Sequence, residues 1–138
     1  MSFLLDTNVV SELRRAVPHP QLLRWRDRHQ HAEMFLSVLV IGELRQGVER
    51  LRGRDSARAE LLDGWLGGLI TTYADRILPV SAAVAQEWGR LNVPPRMPPA
   101  IDGLIAATAR VHQLTLVTRN VADVARTGVA VVNPFEPA

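Results

Sequence analysis

Short apolar segments alternate with long helical patterns along this chain, and that alternation limits the folds it can adopt. Residues 2–6 indicate a buried strand, and further strands are predicted at 34–38, 77–80, 114–117 and 129–132. Most stretches between them repeat apolar residues every three or four positions, which is the period of a helix with one buried face. Because parallel strands need crossover helices, the sequence predicts a three-layer α/β/α sandwich with a central, mostly parallel sheet.

The same patterns predict where individual helices begin and end. Ser56 and Ser81 stand at expected N-cap positions, whereas the proline-rich segment 92–99 is predicted to be a loop, because proline cannot continue a helix. With 138 residues and no internal repeat or long linker, the chain is predicted to form one domain over 1–138. The predicted helices cover 8–14, 21–29, 40–52, 56–71, 82–91 and 100–112, with a helical turn at 121–125.

The residue types that are missing from the chain exclude several chemistries. The sequence contains no cysteine, so neither a disulfide framework nor a thiolate metal site is possible. All 16 positive side chains are arginine, and the lack of lysine excludes a Walker phosphate loop, a dehalogenase-type phosphatase and Schiff-base catalysis. No apolar run approaches the roughly 18 residues that a membrane span needs. We therefore expect a cytoplasmic protein that does not enter a membrane.

Four carboxylates stand at positions where an acid destabilises the fold unless a positive partner joins it. Asp6 follows the first apolar strand, Glu43 lies in a nearly apolar strand-to-helix passage, and Asp102 interrupts an apolar helix face. Asp123 lies in a turn rich in small residues. If the four converge, they repel one another, whereas bound Mg²⁺ or Mn²⁺ removes that repulsion. The pattern therefore indicates a metal-dependent enzyme that acts on phosphate.

Each of these acids also has an ordinary structural explanation, which the sequence leaves open. Asp6 is a favoured N-cap residue, and Asp102 is placed to interact with a helix dipole. Glu43 can be solvated beside Gln46, and Asp123 can be a plain surface acid. Only the spatial arrangement of the four distinguishes a shared site from four separate structural roles.

Four motifs follow one another in the sequence: LLDTNVVSE at 4–12, LSVLVIGELRQG at 36–47, IDGLIAATA at 101–109 and LVTRN at 116–120. In this order and spacing they resemble PIN-domain ribonucleases, and within that family the VapC-type toxins of bacterial toxin–antitoxin pairs. The resemblance spans essentially the whole chain. It implies a central parallel sheet, one or two Mg²⁺ or Mn²⁺ ions in an acidic pocket, endonucleolytic cleavage of RNA, frequent homodimers and neutralisation by a small VapB-type antitoxin.

The resemblance also implies roles for individual residues. Asp6, Glu43 and Asp102 match the acids that bind the metal and take part in catalysis, and Asp123 matches a further catalytic acid. Asn120 stands where some relatives carry aspartate. We hypothesise that a water activated by the metal attacks phosphorus, that Asp102 or Glu43 orients this water, and that no protein nucleophile takes part. Polar residues expected to contact substrate or line the pocket are Thr7, Asn8, Ser37, Thr118, Arg119 and Asn120, with Arg119 on a phosphate.

Other functions also fit parts of the sequence. A non-catalytic module that binds RNA or protein would use the same acids as helix caps and solvated charges. A flap-processing DNA nuclease would use the same carboxylate chemistry, but such enzymes usually carry more acids and long insertions. Residues 21–54 combine arginines with apolar side chains, which predicts either core packing or a groove for an amphipathic segment of an antitoxin.

Overall fold

The computed structural model describes residues 1–94 and 97–137 and has a five-stranded sheet at its centre. The strand order is β3-β2-β1-β4-β5, and every neighbouring pair is parallel. The predicted α/β architecture with a parallel sheet is therefore confirmed. The strands are β1 (Ser2–Leu5), β2 (Glu33–Ser37), β3 (Ile77–Leu78), β4 (Thr115–Val117) and β5 (Val131–Val132).

Helices cover both faces of this sheet. Since parallel connections are right-handed crossovers, the helices that follow β1 and β2 lie on one face, and those that follow β3 and β4 lie on the other. Contacts between the helices at 38–52 and 56–72, and between the helices at 82–91 and 100–111, agree with this layering. No helix in the described part of the chain is long and apolar enough to cross a membrane. The helices are α1 (Thr7–Leu13), α2 (Pro20–Arg28), α3 (Val38–Arg52), α4 (Ser56–Thr72), α5 (Ala82–Leu91), α6 (Ala100–Val111) and α7 (Val121–Val124), followed by a 3-10 helix at Ala125–Thr127.

The core is built around β1, the central strand. Leu4 pairs in register with Phe35 of β2 and Leu116 of β4, and the side chains of Leu4 and Leu116 are almost completely buried. Ile105 of α6 and Val9 of α1 are also buried in this cluster. Since a parallel sheet covered on both faces has no solvent-exposed face, its strands carry nearly continuous apolar runs. This burial explains why strands of only two to five residues are recognisable in the sequence.

Several element boundaries differ from the prediction for identifiable reasons. Asp55, not Ser56, caps α4, because its side chain accepts a hydrogen bond from the backbone N–H of Arg58 at 3.2 Å. The last strand was predicted from residue 129 but begins at Val131, because Gly128 adopts a left-handed conformation with φ of 71° that ends the preceding turn. Within the predicted loop 92–99, residues 95 and 96 lie outside the described residues; the others form neither helix nor strand.

The order of the strands creates a crevice beside β1. The chain leaves β1 toward one side of the sheet and leaves β4, its neighbour, toward the other. In open α/β sheets such a switch point is where ligands bind, outside the carboxyl ends of the strands. The backbone N–H of Asp6 donates to the carbonyl of Val117 at 2.9 Å, which joins the two strand ends. The fold therefore places the residues after β1 and β4 side by side.

We expect Leu36→Ala to lower the free energy of unfolding by about 2–5 kcal/mol, because truncating a fully buried side chain leaves a cavity. Leu36 lies on β2 and is 0% exposed, whereas Leu61 of α4 is 76% exposed. The matched control Leu61→Ala should therefore change the stability by less than about 0.5 kcal/mol. Urea unfolding followed by circular dichroism measures both variants, and equal effects would contradict the described core.

Candidate active site

Asp6 is the best enclosed of the four acids singled out in the sequence. It lies between β1 and α1 and is only 8% exposed. Its Oδ1 accepts a hydrogen bond from the backbone N–H of Thr7 at 2.8 Å, so the residue does cap α1. The capping explanation is therefore correct for one oxygen, while the second oxygen, Oδ2, is left for contacts across the crevice.

Thr118 and Asn8 hold that second oxygen from the end of β4 and from α1. The hydroxyl of Thr118 donates to Asp6 Oδ2 at 2.8 Å, and Nδ2 of Asn8 donates to the same oxygen at 3.5 Å and to Thr118 Oγ1 at 3.2 Å. The backbone N–H groups of Arg119 and Asn120 donate to Asn8 Oδ1 and Thr118 Oγ1 at 3.1 and 3.0 Å. Residues more than a hundred positions apart thus form one network that fixes the Asp6 carboxylate.

Glu43 approaches the same region from α3. Its Oε1 accepts a hydrogen bond from the hydroxyl of Thr7 at 2.5 Å. Ser37 is completely buried at the end of β2 and caps α3, because its hydroxyl accepts a hydrogen bond from the backbone N–H of Leu39 at 3.0 Å. This cap fixes the start of the helix that carries Glu43. Thr7 therefore lies between two of the predicted acids. Its backbone N–H is hydrogen-bonded to Asp6, and its hydroxyl is hydrogen-bonded to Glu43.

Asp102 joins this group from the first turn of α6. Partial burial raises the pKa of its carboxyl to about 6, and the charges of Asp6, Asp123 and Glu43 contribute further to the increase. A helix dipole alone would stabilise the ionised form and lower the pKa, which is the opposite direction. Asp102 is thus not explained as a dipole partner alone. The four predicted acids lie close enough to influence the same ionisation.

Asp123 and the two residues after Thr118 line the outer part of the site. Asp123 is exposed in the first turn of α7, and together with Arg119 and Asn120 it borders an open depression of about 450 Å³. The guanidinium carbon of Arg119 lies 3.8 Å from the centre of the Phe135 ring. The phosphate contact of Arg119 and the substrate contact of Asn120 stay predictions.

The donor atoms of this site fit a hard divalent cation that keeps part of its water shell. All donors are oxygens, and no arginine of residues 1–94 and 97–137 forms an ion pair with the four acids. Over the same residues, no group of three or more histidine or acidic side chains is arranged so that it could hold a metal ion. Mg²⁺ needs only one or two protein carboxylates and retains several waters. The site therefore fits Mg²⁺ or Mn²⁺ better than a metal that requires a closed protein cage.

Two features near the site were missed at the level of sequence. Glu12 is a buried carboxylate that accepts hydrogen bonds from the backbone of His19 at 3.0 Å and from Arg15 at 3.4 Å. It joins α1 to the segment before α2, which is a structural role. Phe135 packs against Arg119 and lies 5.5 Å from the His19 ring, measured between ring centres. The only sequence signal for this contact is a single aromatic residue in the C-terminal segment 133–138.

We expect Thr118→Val to destabilise the protein by about 1–3 kcal/mol, because it removes one hydroxyl that serves three hydrogen-bonding partners. Thr115→Val is the matched control, since Thr115 is half-buried at the other end of β4. It should change the free energy of unfolding by less than about 0.5 kcal/mol. Chemical unfolding provides the measurement. A fully stable Thr118→Val protein would show that the network is not needed to hold Asp6 in the folded chain.

We expect Asp102→Asn to stabilise the metal-free protein at pH 8 by on the order of 1 kcal/mol, a value that allows for solvent screening of a partly exposed group. The pKa of Asp102 is about 6 in the folded chain, against an ordinary value of 3.8. Ionisation therefore opposes folding above pH 6. This gain in stability should disappear as the pH falls below about 4, where the Asp102 carboxyl of the wild type is protonated in both the folded and the unfolded state.

Urea unfolding at several pH values tests this expectation, with the exposed Asp75→Asn as the matched control. If the asparagine variant were less stable than the wild type at pH 8, the described repulsion among the acids would be wrong.

Comparison with known proteins shows the family of this chain. A family model described as the PIN domain matches residues 3–128. The chain is 31% identical to VapC ribonuclease Y4jK of Sinorhizobium fredii, over 98% of this chain and 99% of that protein, and 36% identical to toxin FitB of Neisseria gonorrhoeae, over 96% and 97%. The crystal structure of FitAcB from Neisseria gonorrhoeae matches with a TM-score of 0.87 at 33% identity, over 98% and 99% of the two chains. As its motifs predict, the chain belongs to the PIN-domain family, where it groups with the VapC and FitB toxins.

Proposed function

We propose that this protein is a Mg²⁺- or Mn²⁺-dependent endoribonuclease and the toxin component of a VapBC-type toxin–antitoxin pair. One observation carries the catalytic part of the proposal. Asp6, Glu43 and Asp123 come from three distant segments, and their charges add to the burial that raises the pKa of Asp102. Such repulsion is relieved by a divalent cation, which also binds the phosphate oxygens of a nucleic acid.

In this proposal, Asp6, Glu43 and Asp102 hold the metal. The ion, when bound, supplies charge neutralisation at phosphate and activation of a water molecule. Thr118 and Asn8 keep Asp6 in position through the hydrogen bonds to its Oδ2. Glu43 is held by the Thr7 hydroxyl, which leaves its other carboxylate oxygen, Oε2, available to orient the attacking water. The side chains need not form a covalent bond to the substrate.

Asp123 has a different role in the proposed site. It is exposed and influences the charge of Asp102 from the rim, so we assign it to catalysis rather than to the inner metal ligands. Asn120 follows the network residue Thr118 but contributes its backbone N–H to that network. An acid at the rim can compensate for the neutral amide at position 120, because a carboxylate attracts a dication more strongly.

The choice of RNA and of a protein partner rests on the relatives. The relative from Sinorhizobium fredii is named a ribonuclease, and the structure of FitAB bound to an IR36 DNA fragment matches this chain at 31% identity with a TM-score of 0.87. We propose by analogy that the substrate is RNA, that a VapB-type antitoxin binds the chain, and that the toxin forms a homodimer in the cytoplasm. All 138 residues are proposed to act as one domain.

The sequence predicts either core packing or an antitoxin groove for the apolar side chains of residues 21–54, and the buried ones pack in the core. Leu22, Trp25, Leu44 and Val48 are buried in the core, so these side chains pack within the protein and are not free to bind a partner. Any antitoxin contact in this region must therefore use the exposed or half-buried side chains of α2 and α3.

We expect Asp6→Asn to reduce RNA cleavage in Mg²⁺ or Mn²⁺ by at least about 100-fold, because the amide removes a charge that binds the metal. The exposed Asp27→Asn is the matched control and should cleave like the wild type. Calorimetric titration with Mn²⁺ should give one saturable site that Asp102→Ala abolishes. Cleavage unaffected by Asp6→Asn would contradict the catalytic scheme. A wild-type protein with no saturable Mn²⁺ site would instead favour a non-catalytic binding module.

A further inference from the structure

An open depression beside the four acids has walls that suit a flat ligand. Its volume is about 450 Å³, and the residues that border it are Arg119, Asn120, Val121, Ala122, Asp123, Asn133 and Glu136. Asp123 belongs both to this border and to the group of acids that influence Asp102. The depression therefore opens directly next to the proposed cleavage site. A nucleic acid strand bound at the acids would place a neighbouring nucleotide in it.

Arg119 gives this depression a flat and well-supported cationic surface. Its guanidinium carbon lies 3.8 Å from the centre of the Phe135 ring, and its backbone N–H donates to Asn8. Phe135 is only 9% exposed, so the aromatic ring itself is largely covered. The surface available for stacking is therefore the outer face of the exposed guanidinium. Arginine planes and aromatic rings are the usual platforms on which proteins stack unpaired nucleobases.

The charges around the depression favour a base over a phosphate. Its border carries two carboxylates, Asp123 and Glu136, against the single guanidinium of Arg119. A phosphate group would meet net repulsion there, because like charges at short range disfavour each other. A neutral nucleobase does not meet this repulsion, and its edge can use the carboxylates as hydrogen-bond acceptors.

Asn133 and Glu136 differ in the hydrogen bonds that they can form with a base. Oδ1 of Asn133 accepts a hydrogen bond from the backbone N–H of Phe135 at 2.9 Å, so its NH₂ group is the part left to donate. Glu136 is exposed, and its carboxylate can only accept. Guanine matches this pair, because it carries adjacent N1–H and 2-amino donors beside the O6 acceptor. Adenine has neither the N1–H donor nor the O6 acceptor.

We propose that this depression is a guanine-binding subsite for the RNA substrate. Arg119 stacks on the base, Glu136 accepts hydrogen bonds from N1–H and the 2-amino group, and Asn133 donates to O6. The proposal rests on the ribonuclease function proposed for the adjacent acids. Stacking uses the face of the Arg119 guanidinium, so its N–H edge remains able to contact the neighbouring phosphate.

Binding of labelled RNA pentamers in EDTA tests the subsite without cleavage. Each pentamer carries one guanosine or one inosine in a uridine background, since inosine lacks only the 2-amino group. The wild type should bind the guanosine pentamer about tenfold more tightly, as expected for a hydrogen bond to a charged acceptor. Glu136→Gln should bring the ratio of the two affinities close to one. The matched control Glu33→Gln, at the N-terminal end of the internal strand β2, should leave that ratio unchanged. An unchanged ratio in Glu136→Gln, or no preference in the wild type, would overturn the proposal.

Two variants of Arg119 separate stacking from charge attraction. Arg119→Ala should weaken binding of the guanosine pentamer about tenfold or more, because a stacking platform is lost. Arg119→Lys keeps the positive charge but lacks the planar guanidinium group, so it should weaken binding to a similar extent. A lysine variant that binds like the wild type would show that Arg119 serves only to attract phosphate, and it would remove the stacking platform on which the proposal depends.

Cleavage of the same pentamers in Mn²⁺ distinguishes this proposal from the proposed function. If the wild type cleaves the guanosine pentamer faster and Glu136→Gln loses that preference, both are supported. If cleavage occurs without any preference for guanosine, the subsite is wrong and the nuclease assignment stands. If guanosine is preferred in binding but no RNA is cleaved, the subsite stands and the nuclease assignment is wrong.

Discussion

The hydrogen-bonded placement of the Asp6 carboxylate is the interaction on which the whole site depends. A buried carboxylate without partners would destabilise the fold, but Asp6 receives hydrogen bonds from Thr7, Asn8 and Thr118. These partners come from the ends of two neighbouring parallel strands. The hydrogen bonds that stabilise the buried charge also fix the orientation of the Asp6 carboxylate. The site is thus a consequence of the strand order, because only adjacent strands bring residues 6 and 118 together.

Within the part of the chain that the structure describes, the remaining acids have fewer hydrogen bonds than Asp6. Glu43 has one described hydrogen bond, to the hydroxyl of Thr7. Partial burial raises the pKa of Asp102, and the charges of Asp6, Asp123 and Glu43 add to the increase. In the proposed metal site, a bound cation would favour the ionised form of Asp102 and so remove this opposition.

Much of this arrangement could be read from the sequence, because local patterns carry it. The strand before Asp6 and the apolar helix face around Asp102 are recognisable from residue spacing alone. The strand order could not be derived from spacing, so the convergence of the acids remained a hypothesis until the sheet was known. The sequence also could not show which of two neighbouring residues caps α4, since Asp55 and Ser56 are both favoured N-cap residues. The stacking of Arg119 on Phe135 depends on tertiary packing, which a local pattern cannot reveal.

A crystal structure of the protein grown with Mn²⁺, with data collected at the manganese absorption edge, tests the central claim most directly. The account predicts an anomalous peak within about 2.3 Å of carboxylate oxygens from Asp6 and Asp102, with Glu43 bound directly or through water. The same maps would show whether Asn120 or Asp123 faces the ion. An anomalous peak elsewhere on the protein, or none near these carboxylates at saturating Mn²⁺, would contradict the account.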